Sequence, residues 1–98
     1  MHVLSYGTLR EFAAEYRDAR EPLNAWYHKV RRTEYENTQQ VKADFRSASF
    51  LAGNRVVFNI GGNKYRLVVK MEYQRGEVYI RHVVTHDTYD ELTRAGKL

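Results

Sequence analysis

The chain has 98 residues, 43% hydrophobic and 29% charged, which is enough for one soluble domain and too few for two. It contains no cysteine, so disulfide scaffolds, thiolate metal sites and cysteine nucleophiles are excluded, as suits a cytoplasmic protein. The opening MHVLSYGTLREF lacks the basic segment and long apolar run of a signal peptide, and no apolar stretch is long enough to span a bilayer.

In chain order, the HVL that follows Met1 offers a short first strand. Thr8 and Glu11 have the spacing of a capping box. Leu9, Phe12, Ala13 and Tyr16 then recur at helical spacing, which predicts a first helix from about Thr8 to Ala19. Pro22 suits the first turn of a second helix, whose apolar stripe is Leu23, Trp26, Tyr27 and Val30. The polar TEYENTQQ reads as a loop, and Val41 and Phe45, four apart, mark a short helical turn in QQVKADF. From Arg55 the period changes to two. RVVFNI, KYRLVVKMEY and EVYIRHVVT predict three strands joined by two tight connections. The chain shows no repeats, low-complexity tract or linker. The expected fold is α+β: two N-terminal helices on one face of a small antiparallel sheet, a three-stranded meander plus the possible N-terminal strand, with the other face open to solvent.

The formal net charge is +4, and its distribution is uneven. Residues 1–49 hold eight Lys/Arg against seven Asp/Glu, and residues 50–98 hold eight against five. From Arg55 to Arg81 six basic residues meet only two acidic ones, Glu72 and Glu77. A cationic sheet points to a polyanionic partner, nucleic acid first; the bland reading is a solubilising surface.

Strand parity assigns the faces. Tyr65, Leu67, Val69, Met71 and Tyr73 form the apolar set of their strand and should meet the helices. Val56, Phe58 and Ile60 join them from the strand before, and Val78, Ile80 and Val84 from the strand after. By the same parity His82 points into the core. A turn at Gly62-Asn63 pairs Ile60 with Tyr65 and Asn59 with Arg66, so inward residues meet inward residues. Glycine first and asparagine second suits a type II′ turn. A turn at Gly61-Gly62 also keeps the faces matched. A second connection centred on Arg75-Gly76 pairs Lys70 with Arg81 and sets Arg66 opposite Thr85. Arg55, Lys70 and Arg81 would then form one cationic row, costly for a sheet unless an anion binds it.

A phosphate-cradling glycine loop must open a helix. The residues after GGN are KYRLVV, a strand former, so that reading fails on context. His82, His86, Asp87 and Asp90 fall at a strand and its end, a poor frame for a metal. A metal-free site fits better. Cleavage at an RNA 2′-hydroxyl needs a proton acceptor, a proton donor and a cation for the charged phosphorane. Arg66 lies on the outward face, and His86 and Tyr89 follow the last strand in THDTYDEL, with His86 falling beside Arg66. The alternatives are a surface loop histidine and a tyrosine that packs the chain end.

The stretches VVFNIGGNKYRLVVK and VYIRHVVTHDTYDEL together resemble the signature of HigB-type toxins of type II toxin–antitoxin systems, within the RelE/ParE superfamily. VKADF resembles the segment before the sheet in that family, and the similarity runs from the helical half to Leu92. The resemblance implies a RelE-like fold and an mRNA interferase that acts on mRNA, typically at the ribosome, without metal or other cofactor. It implies 2′-hydroxyl attack on the adjacent phosphate, leaving a cyclic phosphate. Arg66 matches the arginine after the hairpin and would bind the scissile phosphate. His86 matches a catalytic basic position after the last strand, and Tyr89, next to Asp90, would orient or stack on a base. Val57 and Asn59 stand where RelE-type toxins carry lysines, which leaves Lys42, Lys70 or His86 as general base. Further RNA contacts are expected from Lys42, Arg55, Asn59, Lys70 and Arg81. The implied partner is a HigA-like helix-turn-helix antitoxin, and operator DNA would be met only through that complex; no membrane is involved. Two other functions share the fold: a ParE-like gyrase poison, and a non-catalytic RNA-binding or interaction module.

Overall fold

The computed structural model describes residues 1–98. The elements are β1 (His2–Leu4), α1 (Tyr6–Glu15), a 3₁₀ turn (Arg17–Ala19), α2 (Arg20–Arg31), α3 (Thr38–Asp44), β2 (Ser49–Leu51), β3 (Arg55–Ile60), β4 (Tyr65–Glu72), β5 (Glu77–Thr85) and α4 (His86–Arg94). No helix is long and apolar enough to cross a membrane.

The helices form where their apolar spacing allows one face to be buried. Leu23, Trp26 and Val30 of α2 and Leu9 of α1 are all buried in the main core. The first helix starts earlier and ends sooner than its periodicity predicts. Ser5 takes a left-handed conformation, φ 68°, with no side-chain cap, and its carbonyl accepts the Thr8 N–H at 3.0 Å. Thr8 is therefore inside the helix and does not cap it. At the other end Tyr16 leaves helical geometry, φ −111° and ψ 88°, and stacks on Phe12 at 4.5 Å between ring centroids. The tighter turn that follows buries Ala19. α3 is capped by Asn37, whose Oδ1 accepts the Gln40 N–H at 2.9 Å.

The five strands run in the order β1-β5-β4-β3-β2. β1 lies parallel to β5 and the other pairs are antiparallel, so the sheet is mixed. The expected meander is present, and HVL is a strand. β2 is an addition: Ser49–Leu51 pairs with Val57–Arg55. Its side chains are exposed or half-buried, so no alternation betrays it. The inner face carries Phe58 between Trp26 and Phe45, with ring centroids 5.5 and 4.9 Å away.

The first hairpin has the register Ile60↔Tyr65, Phe58↔Leu67 and Asn59↔Arg66. The Ile60↔Tyr65 register and the Lys64 N–H donated to the Gly61 carbonyl at 3.4 Å centre the turn on Gly62-Asn63 and not on Gly61-Gly62, with both glycines at positive φ, 63° and 69°. The second hairpin differs from expectation. Glu72 pairs with Glu77 and Lys70 with Tyr79, and a bulge between Val68 and Val69 makes Arg81 the extra residue of β5. The bulge reverses strand parity beyond it. Val83, opposite Leu67, joins the core in place of Val84, and His82, opposite Val68, lies on the outer face and not in the core. Arg66 accordingly faces Val84, not Thr85. The cationic row is reduced to the Arg55–Lys70 pair, with Tyr79 where Arg81 was expected.

The outer face is also not open. Val57 and Val68 are buried there, outside the main core. α4 packs on β4 and β5, and the Leu98 carbonyl accepts a hydrogen bond from Arg55 Nη1 at 2.6 Å. The C-terminal segment thus roofs part of that face.

Candidate active site

Arg66 is built into the outer face by the turn that precedes it. Its Nη1 donates to the carbonyls of Asn63 at 3.2 Å and Tyr65 at 3.1 Å, and its Nη2 donates to Asn63 Oδ1 at 2.7 Å. The residue is only 8% exposed, and no carboxylate pairs with it. A buried cation held by neutral oxygens alone is costly. A guanidinium has five N–H donors, and these contacts use three of them. The turn is itself tied down. Lys64 Nζ reaches Asp18 Oδ2 at 2.8 Å, and the Tyr65 hydroxyl donates to Asp18 Oδ1. That hydrogen bond to the carboxylate pushes the Tyr65 phenol up to about 12, with burial adding to it.

α4 brings the other two expected residues to Arg66. Thr85 caps it, its hydroxyl accepting the Thr88 N–H at 3.2 Å, and acidic Asp87 occupies the first turn. The His86 N–H donates to the Lys64 carbonyl at 2.9 Å, which docks the helix start against the same hairpin. His86 Nδ1 is 3.2 Å from Asp90 Oδ2, one turn on. With Nδ1 so oriented, Nε2 is left for a substrate. The Tyr89 ring lies 5.9 Å from the Arg66 guanidinium carbon, a cation–π contact.

The remaining residues divide. Asn59 sits directly opposite Arg66. Lys70 is on the same face, with Nζ 3.3 Å from Glu72 Oε1. Arg55 is engaged by the Ala52 and Leu98 carbonyls. Arg81 stands exposed at the bulge. Lys42 lies apart on α3, where its Nζ donates to the Ala48 carbonyl at 2.8 Å.

Strand parity missed His82. It shares the outer face with Arg66, since its partner Val68 is two residues from Arg66 on the same side of β4. Burial holds its imidazole below the ordinary histidine value, and the charges of Arg81 and Arg55 lower it further. It is therefore neutral at pH 7 and chemically suited to accept a proton. Only the bulge puts it there, and the sole signal in the sequence was the mismatch between a polar histidine and a core position.

The arrangement comprises a buried, uncompensated guanidinium, a histidine oriented by a carboxylate, a neutral histidine and an aromatic ring. It sits on the sheet face opposite the helical layer. The family model for the HigB toxin, the RelE-like toxic component of a toxin–antitoxin system, matches residues 19–92. The chain belongs to the HigB toxin family. Among HigB relatives it is 30% identical to the mRNA interferase toxin HigB of Escherichia coli strain K12, over 95% of this chain and 91% of that one. It is likewise 30% identical to the mRNA interferase HigB of Shigella flexneri, with the same coverage. With the mRNA interferase HigB of Escherichia coli O6:H1 it shares 25% identity over 96% of this chain and 93% of the relative. The HigB match takes in all of β3, β4 and β5, and with them Arg66, His82, His86 and Tyr89.

Proposed function

We propose that the protein is the toxin of a type II toxin–antitoxin pair and an endoribonuclease that cleaves mRNA on the ribosome, so stopping translation in the cytoplasm. The carrying observation is the Arg66 guanidinium, buried among neutral oxygens with no carboxylate to balance it. Such a charge is matched when a phosphate arrives, and its two unused N–H groups are donors for the scissile phosphate. The 2′-hydroxyl loses its proton to a base, and its oxygen bonds to the adjacent phosphorus. The bond from phosphorus to the 5′-oxygen then breaks, and an acid protonates that oxygen. The products are a 2′,3′-cyclic phosphate and a 5′-hydroxyl. His86, held by Asp90, is the acid. His82, neutral at pH 7, is the base in place of the lysines of the RelE pattern. Arg66 stabilises the charge that develops on the phosphorane. Tyr89 orients a base of the substrate by stacking. Asn59, Lys70 and Arg81 extend the RNA path. No step calls for a metal.

The partner is a HigA-like helix-turn-helix antitoxin, and the pair represses its own operon through it. Family membership supports the toxin role, and the names of the relatives support the mRNA interferase activity. The test is cleavage of a defined mRNA by the purified protein, with and without programmed ribosomes, in the presence of EDTA. Cuts within codons that end in a cyclic phosphate are expected. DNA damage on induced expression with intact mRNA would instead identify a gyrase poison.

A further inference from the structure

His86, the acid of the proposed reaction, stands where two elements meet. Tyr65↔Thr85 is the last pair of the β4–β5 ladder, and Thr85 is also the cap of α4. One hydrogen bond lies beyond that pair, from the His86 N–H to the Lys64 carbonyl at 2.9 Å. Ladder ends fray unless something holds them, and the helical layer holds this one. Lys64 Nζ and the Tyr65 hydroxyl reach the two carboxylate oxygens of Asp18, in the 3₁₀ turn. The Tyr65 ring meets Phe12 and Tyr16 edge-on, with centroids 5.4 and 5.6 Å apart. The hydrogen bonds from Lys64 and Tyr65 keep the Asp18 carboxyl below its ordinary value, so it is charged at pH 7.

Stability alone does not account for this cluster. The Lys64 and Asp18 side chains are 66% and 51% exposed, and an ion pair that open contributes little to folding. What the cluster fixes is place. Arg66 does not depend on it, because its hydrogen bonds run to Asn63 and Tyr65 of its own hairpin and travel with that hairpin. His86 comes from a different element. Its backbone is registered against Arg66 through the Lys64 carbonyl and the Tyr65–Thr85 pair. We propose, on the ribonuclease reading above, that Asp18 and Tyr65 are positioning residues for the general acid. They anchor the end of the ladder from the opposite side of the sheet, so that His86 meets the leaving 5′-oxygen of a phosphate bound at Arg66. They act through His86 and on the protonation step alone. A displacement of about 1 Å at a reacting group can cost about 100-fold in rate, and losing one anchor among several costs part of that.

The test separates the acid step from the rest of the reaction. A short synthetic mRNA, cut at one mapped position on programmed ribosomes, is made with the ordinary 5′-oxygen at that position and again with sulfur in its place. In the second substrate the bond from phosphorus to sulfur breaks and the thiolate leaves without a proton, so no acid is needed. Asp18 is exposed and phenylalanine keeps the Tyr65 ring, so Asp18→Ala and Tyr65→Phe should both fold. On the oxygen substrate each is expected to slow single-turnover cleavage about tenfold, with mRNA affinity within about twofold of wild type. The double variant should stay within about twofold of either single one, because both remove one shared contact. On the sulfur substrate the variants should cleave within about twofold of wild type, and so should His86→Gln. Equal slowing on the two substrates would place the defect outside the acid step and overturn the proposal. Rates within about twofold of wild type on the oxygen substrate would overturn it as well. If the wild type cleaves neither substrate, or His86→Gln slows both alike, the ribonuclease reading with His86 as acid fails first, and the inference with it.

Discussion

The chemistry on the outer face comes down to how single side chains are held. His86 gains its orientation from Asp90 at 3.2 Å and its place from the Lys64 carbonyl. His86→Gln should lower the cleavage rate about 100-fold or more in single-turnover assays while leaving mRNA binding near wild type. Asp90→Asn should cost less, because the ring remains and only its orientation loosens. His82 makes a prediction about pH. Its folded value lies below the ordinary 6.5, so below pH 6.5 the unfolded chain takes the proton first and stability falls. The loss is complete once the pH passes below the folded value, and it is absent above 6.5. Urea midpoints measured between pH 5 and 7.5 should rise with pH, and His82→Gln should flatten that part of the rise. Arg66 could be placed on the outer face from the sequence because turn chemistry and strand parity hold along β3 and β4, whereas His86 lies past the bulge and follows a register one residue off the expected Arg66–Thr85 pairing. His82 could not, because one extra residue in β5 reverses the faces of everything after it.

At the scale of elements, the first hairpin was the most legible part of the fold. The apolar alternation matched the faces and left two turns open, Gly62-Asn63 and Gly61-Gly62, and the observed Ile60↔Tyr65 register is that of the first. Gly61 and Gly62 make no phosphate cradle; they bring Asn63 round to grip Arg66. The Asp18 contacts then fasten that turn to the helical layer. Asp18→Ala should raise amide hydrogen exchange at residues 61–64 about tenfold or more, with little change elsewhere in the sheet. α4 was missed. Its Thr85 cap and the acidic start that follows were visible in THDTYDEL, but the segment is strongly polar and its few apolar positions gave no stripe. β2 left no pattern because almost none of it is buried. Phe58 tests the packing between sheet and helices. Phe58→Ala removes a ring that is 2% exposed and sits between Trp26 and Phe45. Denaturant unfolding should show a loss of about 3–5 kcal/mol.

Across the whole molecule the two faces of the sheet have different work. The inner face and its helices hold nearly all the apolar core. The outer face spends burial on a charge that contributes nothing obvious to stability, under a roof made by α4 and the chain end. Natural folds keep such a feature where function needs it. The basic excess of the C-terminal half, read from composition alone, pointed to this face in broad terms, but it overstated the row of cations. The lone buried guanidinium carries more of the argument than the surface charges. The most direct test is therefore Arg66→Met, which keeps the stem and removes the charge. Ribosome-programmed mRNA cleavage and urea stability would be measured on the same preparation. A fall in cleavage of about 100–1000-fold, with stability unchanged or raised within about 1 kcal/mol, is the expected result. Cleavage at the wild-type rate, or a protein that no longer folds, would contradict the assignment of Arg66 to the scissile phosphate.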